Sequence, residues 1–323
     1  MSIEAAFIVP HPPLIVPQIG RGEEKKVSAT ISAYQQAAEQ IAEIKPETII
    51  ISSPHSVMYY DYFHISPGKS AEGSFADFRA PQVSFEEEYD AELVTEIEKL
   101  AGKSGIPAGT KGERDSTLDH GTMVPLYFIR QKYQGGRIIR IGLSGLPLSV
   151  HYEFGRIIKK AVENTGRRAV YVASGDLSHK LKKYGPYGFA PEGPEYDKQL
   201  IDVCSRAALD ELRRFDDELC KKAAECGHRS FVIMSGALDG VQVRSEVLSH
   251  EDITGVGYGV CTFYPVGEKK TDPYVALAVK TIEHYIKEGK IIKVPDDLPE
   301  EMLTQKAGAF VSIHKKGELR GCI

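Results

Sequence analysis

Two histidines stand at the ends of apolar runs, each directly after a proline. His11 follows residues 5–10, and His55 follows residues 48–54. Such runs predict buried strands, and open α/β sheets place their ligand sites at the carboxyl ends of strands. A proline before each histidine favours a sharp exit from the strand. Because neutral imidazoles are common metal ligands, we expect His11 and His55 to bind one shared metal ion.

Two further histidines lie in settings that favour the same site. His120 follows Asp119 and precedes a Gly-Thr pair, and His179 ends the segment Ser-Gly-Asp-Leu-Ser-His directly after a predicted strand. The glycine in that segment permits close backbone approach. Asp176 could orient His179 or cap a turn, and both alternatives stay open. Four histidines in such settings favour a common active site over separate packing roles.

The composition narrows the function classes. The chain has 323 residues, 42% hydrophobic and 26% charged, which predicts a globular protein of one large domain plus a smaller piece, or of two domains. A net charge of -5, a pI near 6.1 and the lack of a basic stripe argue against nucleic acid as a partner. No stretch approaches the roughly 18 apolar residues that span a bilayer, so we expect a cytoplasmic protein without membrane contact. Five cysteines without a CxxC pair argue against a disulfide framework and a zinc ribbon.

Strand-like and helix-like segments alternate along the chain. Strands are predicted over residues 3–9, 48–52, 137–143, 169–173 and 255–264, and helices over about 24–44, 86–100, 151–164 and 196–225. This alternation predicts an α/β fold with a mostly parallel sheet and helices on both faces.

A polar, turn-rich stretch at residues 265–273 predicts a linker. It would separate a metal-binding domain of residues 1–267 from a short α+β fragment of residues 272–323. Within the fragment we expect a helix over 274–289, with Asp272 as its N-cap and Gly289 at its end, and a strand over 309–314. About 50 residues are few for an independent core, so we expect the second domain to be truncated.

Four short motifs together resemble a known family. They are Pro-His-Pro-Pro at residues 10–13, Ser-Pro-His at 53–55, Leu-Asp-His-Gly-Thr-Met-Val-Pro-Leu at 118–126 and Ser-Gly-Asp-Leu-Ser-His at 174–179. Their order and spacing resemble the class III extradiol (LigB-type) ring-cleaving dioxygenases, the group of protocatechuate 4,5-dioxygenase, and the related Memo proteins. The end of the sequence, Leu-Arg-Gly-Cys-Ile, resembles the start of the Amme-type domain of the AmmeMemoRadiSam system protein A family.

The resemblance implies a role for each motif histidine. It implies that His11 and His55 are metal ligands. It also implies that His120 and His179 are acid/base groups that face the metal without binding it, with Asp176 beside them. Such groups typically contribute about 10²–10⁴-fold to a reaction rate.

The third metal ligand is expected within residues 223–230. In the dioxygenases it is a glutamate, whereas Memo proteins resemble this chain through a Cys-Gly pair whose cysteine reaches the metal. The resemblance therefore implies Cys226 as the first choice and Glu225 as the second, although Cys226 could instead be a buried small hydrophobe. Adjacent residues on a helix point about 100° apart, so the two are not expected to bind one ion together. His228 is expected to be a protonated imidazole at a helix C-terminus and not a ligand.

The resemblance implies an Fe(II)-dependent extradiol dioxygenase that acts on a catecholic or similar chelating aromatic or phenolic molecule. A thiolate in place of the carboxylate favours softer metals, so zinc and copper stay open as alternatives to iron. One alternative is a Memo-like metal-binding redox or interaction protein of an AmmeMemoRadiSam pathway, with a radical enzyme as its partner. Another is a zinc hydrolase that activates water. We also expect a homo-oligomer.

Overall fold

The structure is a computed structural model that describes residues 3–268, 272–296, 298–305, 311–315 and 318–322. Its contacts divide the chain into two units. The first consists of Met1–Asp239 and Val243–Val266, and the second of Gly240–Gln242 and Gly267–Ile323.

The elements up to residue 268 form a central sheet and the helices and short strands around it. The strands are β1 (Ile3–Val9), β2 (Thr48–Ser53), β3 (Phe63–His64), β4 (Ser70–Phe75), β5 (Ala80–Glu88), β6 (Ala108–Gly109), β7 (Arg137–Gly142), β8 (Ala169–Ser174), β9 (Val241–Glu251) and β10 (Tyr258–Glu268). The helices are α1 (Pro17–Gly20), α2 (Ser28–Ile44), α3 (Ala91–Ser104), α4 (His120–Lys132), α5 (Leu148–Thr165), α6 (Glu192–Ser205), α7 (Asp217–Ala223) and α8 (His228–Ala237). Short 3₁₀ turns lie at Pro13–Ile15, Glu23–Val27, Ala76–Phe78 and Leu209–Arg214.

The central sheet has the strand order β7-β2-β8-β1-β10-β9 within the described residues. The first four strands of that order pair in parallel, with Ile8 opposite Ala173. β10 joins the other side of β1 in antiparallel register, with Phe7 opposite Thr262. The sheet is therefore mostly parallel, as the sequence predicted. β1, β2 and β8 all end at the same edge.

Alternate side chains of β1 enter two separate cores, because neighbouring residues of a strand point to opposite faces. Ala6 and Ile8 pack in a core that also contains residues of α3, α5, α6, α7 and α8. Ala5 and Phe7 pack in a second core, with residues of α2 and α4. Helices thus cover both faces of the sheet, and the predicted fold class is confirmed.

Two aspartates cap the N-termini of helices. The Asp90 carboxylate accepts a hydrogen bond from the amide of Leu93 at the start of α3. The Asp119 carboxylate accepts one from the amide of Thr122 at the start of α4. Aspartate is favoured at this position because its oxygens satisfy amides that have no partner within the helix. α4 therefore begins at His120, whose imidazole lies in its first turn.

Two predicted helices differ from the structure. The helix predicted over residues 86–100 begins at Ala91, because the residues before it pair with β4 as part of β5. The long helix predicted over 196–225 is divided into α6, a 3₁₀ turn and α7. Ala207 and Ala224 both have a φ of 54°, a left-handed conformation that ends helices. Glycine usually marks such positions. Because alanine occupies both, the sequence does not indicate that the helix ends there. β3 to β6 and β9 were not predicted.

The second unit contains α9 (Pro273–Glu288), α10 (Glu300–Thr304) and a hairpin of β11 (Ser312–Lys315) and β12 (Glu318–Cys322). As predicted, the Asp272 carboxylate caps α9, accepting hydrogen bonds from the amides of Tyr274 and Val275, and Gly289 follows it with a φ of 65°. This part forms the short α+β piece that the sequence predicted.

Parts of two predictions fall outside the described residues. The predicted linker of residues 265–273 starts later than expected, because β10 continues to Glu268, and residues 269–271 are outside the described ranges. Residues 309 and 310 of the strand predicted over 309–314 lie outside the described ranges, and the strand begins at Ser312. Among the described residues, no helix combines the length and apolar character needed to cross a bilayer.

Candidate metal centre

Histidines from several segments meet at the carboxyl edge of the parallel strands. His11 follows β1, His55 follows β2, His120 begins α4, and His179 follows β8. The Nε2 atoms of His11 and His55 are 3.0 Å apart. The ring centroids of His55 and His120 are 3.9 Å apart. The structure thus brings together the side chains that the sequence placed at this edge.

A hydrogen-bond chain fixes which ring nitrogen of His11 faces the cluster. The Ser174 hydroxyl donates its proton to the carbonyl oxygen of Gly121 at 2.5 Å, and its oxygen lies 3.0 Å from His11 Nδ1. Because that single proton is already used, Ser174 Oγ must accept a hydrogen bond from His11 Nδ1. The lone pair of a neutral His11 is therefore on Nε2. This tautomer is the one that a metal ligand with a hydrogen-bonded second nitrogen adopts.

Burial keeps these imidazoles neutral. It lowers the pKa of His11 well below the usual 6.5, and three neighbouring imidazoles lower it further. Burial also lowers the pKa of His55, although the Asp119 carboxylate opposes this. Burial, followed by the proximity of His55, lowers the pKa of His120 to about 4. Neutral imidazoles retain the lone pairs that a metal ion or a proton can use.

Asp119 links the end of β2 to the start of α4. Its Oδ1 accepts hydrogen bonds from Ser53 Oγ at 2.6 Å and from the Thr122 amide at 3.0 Å. Ser53 Oγ in turn accepts from the His55 amide at 3.1 Å. The Asp119 carboxylate therefore fixes the position of the His55 backbone relative to that of His120. The sequence showed an acid beside His120, but the pairing with Ser53 depends on the fold.

Cys226 brings a sulfur atom to the cluster. Its Sγ lies 3.5 Å from His11 Nε2, and the backbone amide of Asp176 donates to it at 3.2 Å. Cys226 lies in the loop between α7 and α8, and not at the end of one long helix as expected. Burial raises the pKa of the thiol well above its usual value, and nearby carboxylates raise it further. A bound cation would therefore have to displace the thiol proton.

Glu225 is bound by the first turn of α8. Its Oε2 accepts a hydrogen bond from the His228 amide at 2.6 Å, in the first turn of α8, where amides lack partners within the helix. The groups of described residues that could hold a metal contain Cys226 and not Glu225. The geometry therefore favours the first of the two expected third ligands.

His228 lies at the N-terminus of α8 and not at a helix C-terminus, so the expected protonated imidazole is wrong. Its Nε2 donates to the Leu212 carbonyl oxygen at 2.9 Å, and its Nδ1 accepts from the Tyr196 hydroxyl at 3.1 Å. Burial lowers the pKa of His228 to about 4. Both ring nitrogens have protein partners, so His228 is a core residue.

Asp176 and His179 follow β8. Asp176 Oδ1 accepts a hydrogen bond from the His11 amide at 2.8 Å, and Asp176 Oδ2 lies 4.0 Å from His179 Nε2. Burial raises the pKa of Asp176 to about 7 and lowers the pKa of His179 to about 4. The Tyr187 ring stacks on His179 with centroids 4.9 Å apart. Asp176 thus holds the loop of His11 directly, and it does not hydrogen-bond to His179.

The donor atoms fit a metal ion. Among the described residues, one donor atom each from His11, His55 and Cys226 lie within 4.8 Å of one another, and the same holds for Asp176, His179 and Cys226. Two nitrogens bound to one ion at about 2.1 Å can be at most about 4.2 Å apart. The 3.0 Å between the two Nε2 atoms satisfies this limit. Imidazole and thiolate suit zinc and copper, and imidazole also suits iron.

Residues 5–261 match the family described as the catalytic LigB subunit of aromatic ring-opening dioxygenase. The chain belongs to this LigB family. Residues 275–323 match the AMMECR1 family. The two matches confirm the resemblance that the sequence motifs indicated.

Several curated relatives align with all or part of the chain. A protein of Clostridium acetobutylicum is 39% identical, and the alignment spans 100% of this chain and 75% of that protein. The 2-aminophenol 1,6-dioxygenase beta subunit of a Pseudomonas species is 25% identical over 80% of this chain and 93% of its own length. A MEMO1 family protein of Pyrobaculum aerophilum is 28% identical over 45% of this chain and 52% of its own length.

A solved structure shares the fold. It is that of an uncharacterized protein from Escherichia coli K12, which superposes with a TM-score of 0.52 at 15% identity. The match covers 80% of this chain and 99% of the other. At this identity the likeness concerns the fold alone.

Proposed function

We propose that the chain is a metal-dependent oxidoreductase of the dioxygenase type, with Fe(II) held by His11, His55 and Cys226. The observation that carries the proposal is the convergence of two imidazole nitrogens and one sulfur at the carboxyl edge of the sheet. Membership of the LigB family supports it. The substrate would be a chelating aromatic molecule such as a catechol or 2-aminophenol, the compound named in one relative.

The bound metal would supply open positions where the aromatic molecule chelates and dioxygen binds beside it. The side chains of the protein would transfer protons and control the access of substrate to the site. His120 and His179 both have a pKa of about 4 because of burial, so both are neutral near pH 7 and can accept a proton from a substrate hydroxyl. His55 retains an exposed edge although its imidazole is partly buried, so the site opens to solvent on its side.

The activity can be tested with metal-free protein loaded with Fe(II) without oxygen. Catechol or 2-aminophenol is then added, followed by air, and the yellow ring-opened product and oxygen uptake are recorded together. We expect one dioxygen consumed per product. His120→Ala and His179→Ala should each lower the rate by about 10²–10⁴-fold while the iron content stays unchanged. Iron-loaded protein that yields no product with either compound would contradict the proposal.

A second candidate function is favoured by the position of Cys226. Glu225 is engaged by the His228 amide, so a sulfur atom stands where a carboxylate would complete an iron site. A thiolate favours softer metals and is itself oxidisable. The alternative is a Memo-like metal-binding redox protein without ring cleavage, in an AmmeMemoRadiSam pathway with a radical enzyme partner. The MEMO1 family relative supports it.

The native metal separates the two candidates. Elemental analysis of protein purified without added metal should find iron if the dioxygenase proposal holds. Copper or zinc, retained by the parent and lost from His11→Ala, together with no ring-opened product after iron loading, supports the second candidate. If His11→Ala and His55→Ala both retain the metal of the parent, both candidate functions are contradicted.

A further inference from the structure

The sulfur of Cys226 belongs to two groups of donor atoms. One group contains His11 and His55, and the other contains Asp176 and His179. Within each group the donor atoms lie within 4.8 Å of one another in the described part of the chain. The metal centre proposed above uses the first group only, so no bound ion has been assigned to the second group.

The separation between Asp176 and His179 suits a shared ion better than a hydrogen bond. Asp176 Oδ2 and His179 Nε2 are 4.0 Å apart, which exceeds the length of a hydrogen bond. An oxygen and a nitrogen that bind one tetrahedral zinc ion at about 2.1 Å each lie about 3.4 Å apart, so closure by about 0.6 Å would let these two atoms share an ion. His179 Nε2 is buried and has no hydrogen-bond partner among the described residues. A buried nitrogen without a partner is costly unless something else binds it.

The backbone around Cys226 orients the sulfur between the two groups. The Asp176 amide donates to Sγ at 3.2 Å, and the Asp176 carbonyl oxygen accepts from the amides of Cys226 and Gly227 at 3.4 and 3.1 Å. The sulfur also lies 3.5 Å from His11 Nε2. Asp176 Oδ1 is used by the His11 amide, which leaves Oδ2 as the oxygen nearest His179.

We infer that the chain holds a second divalent cation of the zinc class, bound by Asp176, His179 and a bridging Cys226 thiolate. Thiolate, imidazole and carboxylate are the ligands that zinc takes in proteins. The carboxylate and the shared thiolate would balance the added positive charge. Sites with two metals hold their ions about 3.5–4 Å apart, and one sulfur at about 2.3 Å from each ion allows that spacing.

This inference rests on the proposed metal centre but not on its dioxygenase activity. It also sets a condition for the acid/base role of His179. With one ion bound at His11 and His55, the His179 imidazole is free to accept a proton. With two ions bound, its Nε2 is occupied, and only His120 remains for proton transfer.

The number of zinc ions per chain tests the inference. Metal-free protein is equilibrated with zinc under reducing conditions, dialysed against a low zinc concentration, and analysed for metal and protein. We expect two zinc ions per chain in the parent and one in both His179→Ala and Asp176→Asn. His120→Ala is the matched control, because this histidine lies in the same cluster but in neither group, and it should keep two. Cobalt titration should give thiolate-to-cobalt absorption in two steps in the parent and in one step in His179→Ala.

The outcomes separate failure of this inference from failure of the proposed centre. A parent with one zinc, which His11→Ala removes and His179→Ala retains, overturns the second site and leaves the first intact. Two ions in both the parent and His179→Gln also overturn it. Should His11→Ala and His55→Ala keep the full zinc content, the proposed centre itself fails. Circular dichroism of each variant identifies loss of folding. If His179→Ala does not fold, Asp176→Asn still tests the second site, because the asparagine oxygen can accept the hydrogen bond from the His11 amide.

Discussion

A Cβ atom placed on Gly175 would lie 2.1 Å from the Cα atom of Gly227. The backbone after β8 therefore touches the backbone before α8, with no room for a side chain between them. Gly175 follows Ser174, and Gly227 follows Cys226, so this contact brings the loop of the cysteine to the strand end that supports His11. The position of the sulfur thus depends on two residues that cannot bind a metal.

Replacement of Gly175 by alanine should separate these two loops. We expect Gly175→Ala to weaken zinc binding by at least about 10-fold, in the range seen when groups around a metal ligand are changed. Gly102→Ala is the control, because a Cβ there meets nothing within 4 Å, and it should leave the affinity unchanged. Alanine inside a helix should also stabilise that variant by about 0.5–1 kcal/mol. Equal zinc affinity in both variants would show that the contact does not position Cys226.

Loss of the Ser174 hydroxyl should weaken metal binding without removing a ligand. Ser174→Ala frees His11 Nδ1 from the partner that fixes its tautomer. We expect about 10–100-fold lower metal affinity, measured by competition with a chromophoric chelator. Ser235→Ala is the control, because Ser235 is also buried and donates to a backbone carbonyl of its own helix. Similar affinities in the two variants would contradict the role given to Ser174.

The third ligand can be identified by a pair of neighbouring substitutions. Cys226→Ser should reduce metal binding sharply, because the sulfur lies 3.5 Å from His11 Nε2. Glu225→Gln should retain the metal, because its amide oxygen can still accept the hydrogen bond of the His228 amide. Equilibrium dialysis followed by metal analysis measures both. The opposite result would replace Cys226 by Glu225 as the third ligand and give the two-histidine, one-carboxylate set that is typical of non-haem Fe(II).

His151 should make the protein sensitive to acid. Burial lowers its pKa in the folded protein to about 4, whereas the unfolded chain has the ordinary value of about 6.5. Between these values the unfolded chain binds a proton that the folded protein does not, so the free energy of unfolding falls as the pH drops from about 6.5 towards 4.

Phenylalanine cannot titrate, and the His151 ring already packs edge-on against Phe63. Between pH 7 and pH 5, the parent should therefore lose about 2 kcal/mol more stability than His151→Phe. Urea unfolding of metal-free protein at the two pH values, followed by circular dichroism, measures the difference. Equal losses in the two proteins would mean that His151 is protonated in the folded state.

The sequence predicts the positions of the candidate site residues best where these residues directly follow strands. His11, His55 and His179 each follow a run of buried strand residues, and parallel strands bring such ends to one edge. The mostly parallel sheet could be predicted for the same reason, since alternating apolar strands and amphipathic helices leave few other arrangements.

The loop of Cys226 could not be predicted in this way. Its path depends on the left-handed backbone of Ala224, which no glycine marks, and on the contact between Gly175 and Gly227. The engagement of Glu225 by the His228 amide likewise requires α8 to begin where it does. These features follow from tertiary contacts, which leave no periodic pattern in the sequence.

β8 lies between β1 and β2 in the sheet. His11 and His55 therefore start from strands about 10 Å apart, at twice the spacing of neighbouring strands, yet their Nε2 atoms are 3.0 Å apart. The two imidazoles converge from the flanking strands over the end of β8, where Ser174 and Gly175 have small side chains or none. Of these two residues, Ser174 contacts the cluster, with its Oγ 3.0 Å from His11 Nδ1. A larger residue in place of Ser174 would push the His11 imidazole aside while every ligand remained present, so the end of β8 controls the spacing of the two imidazole nitrogens without contributing a donor atom itself.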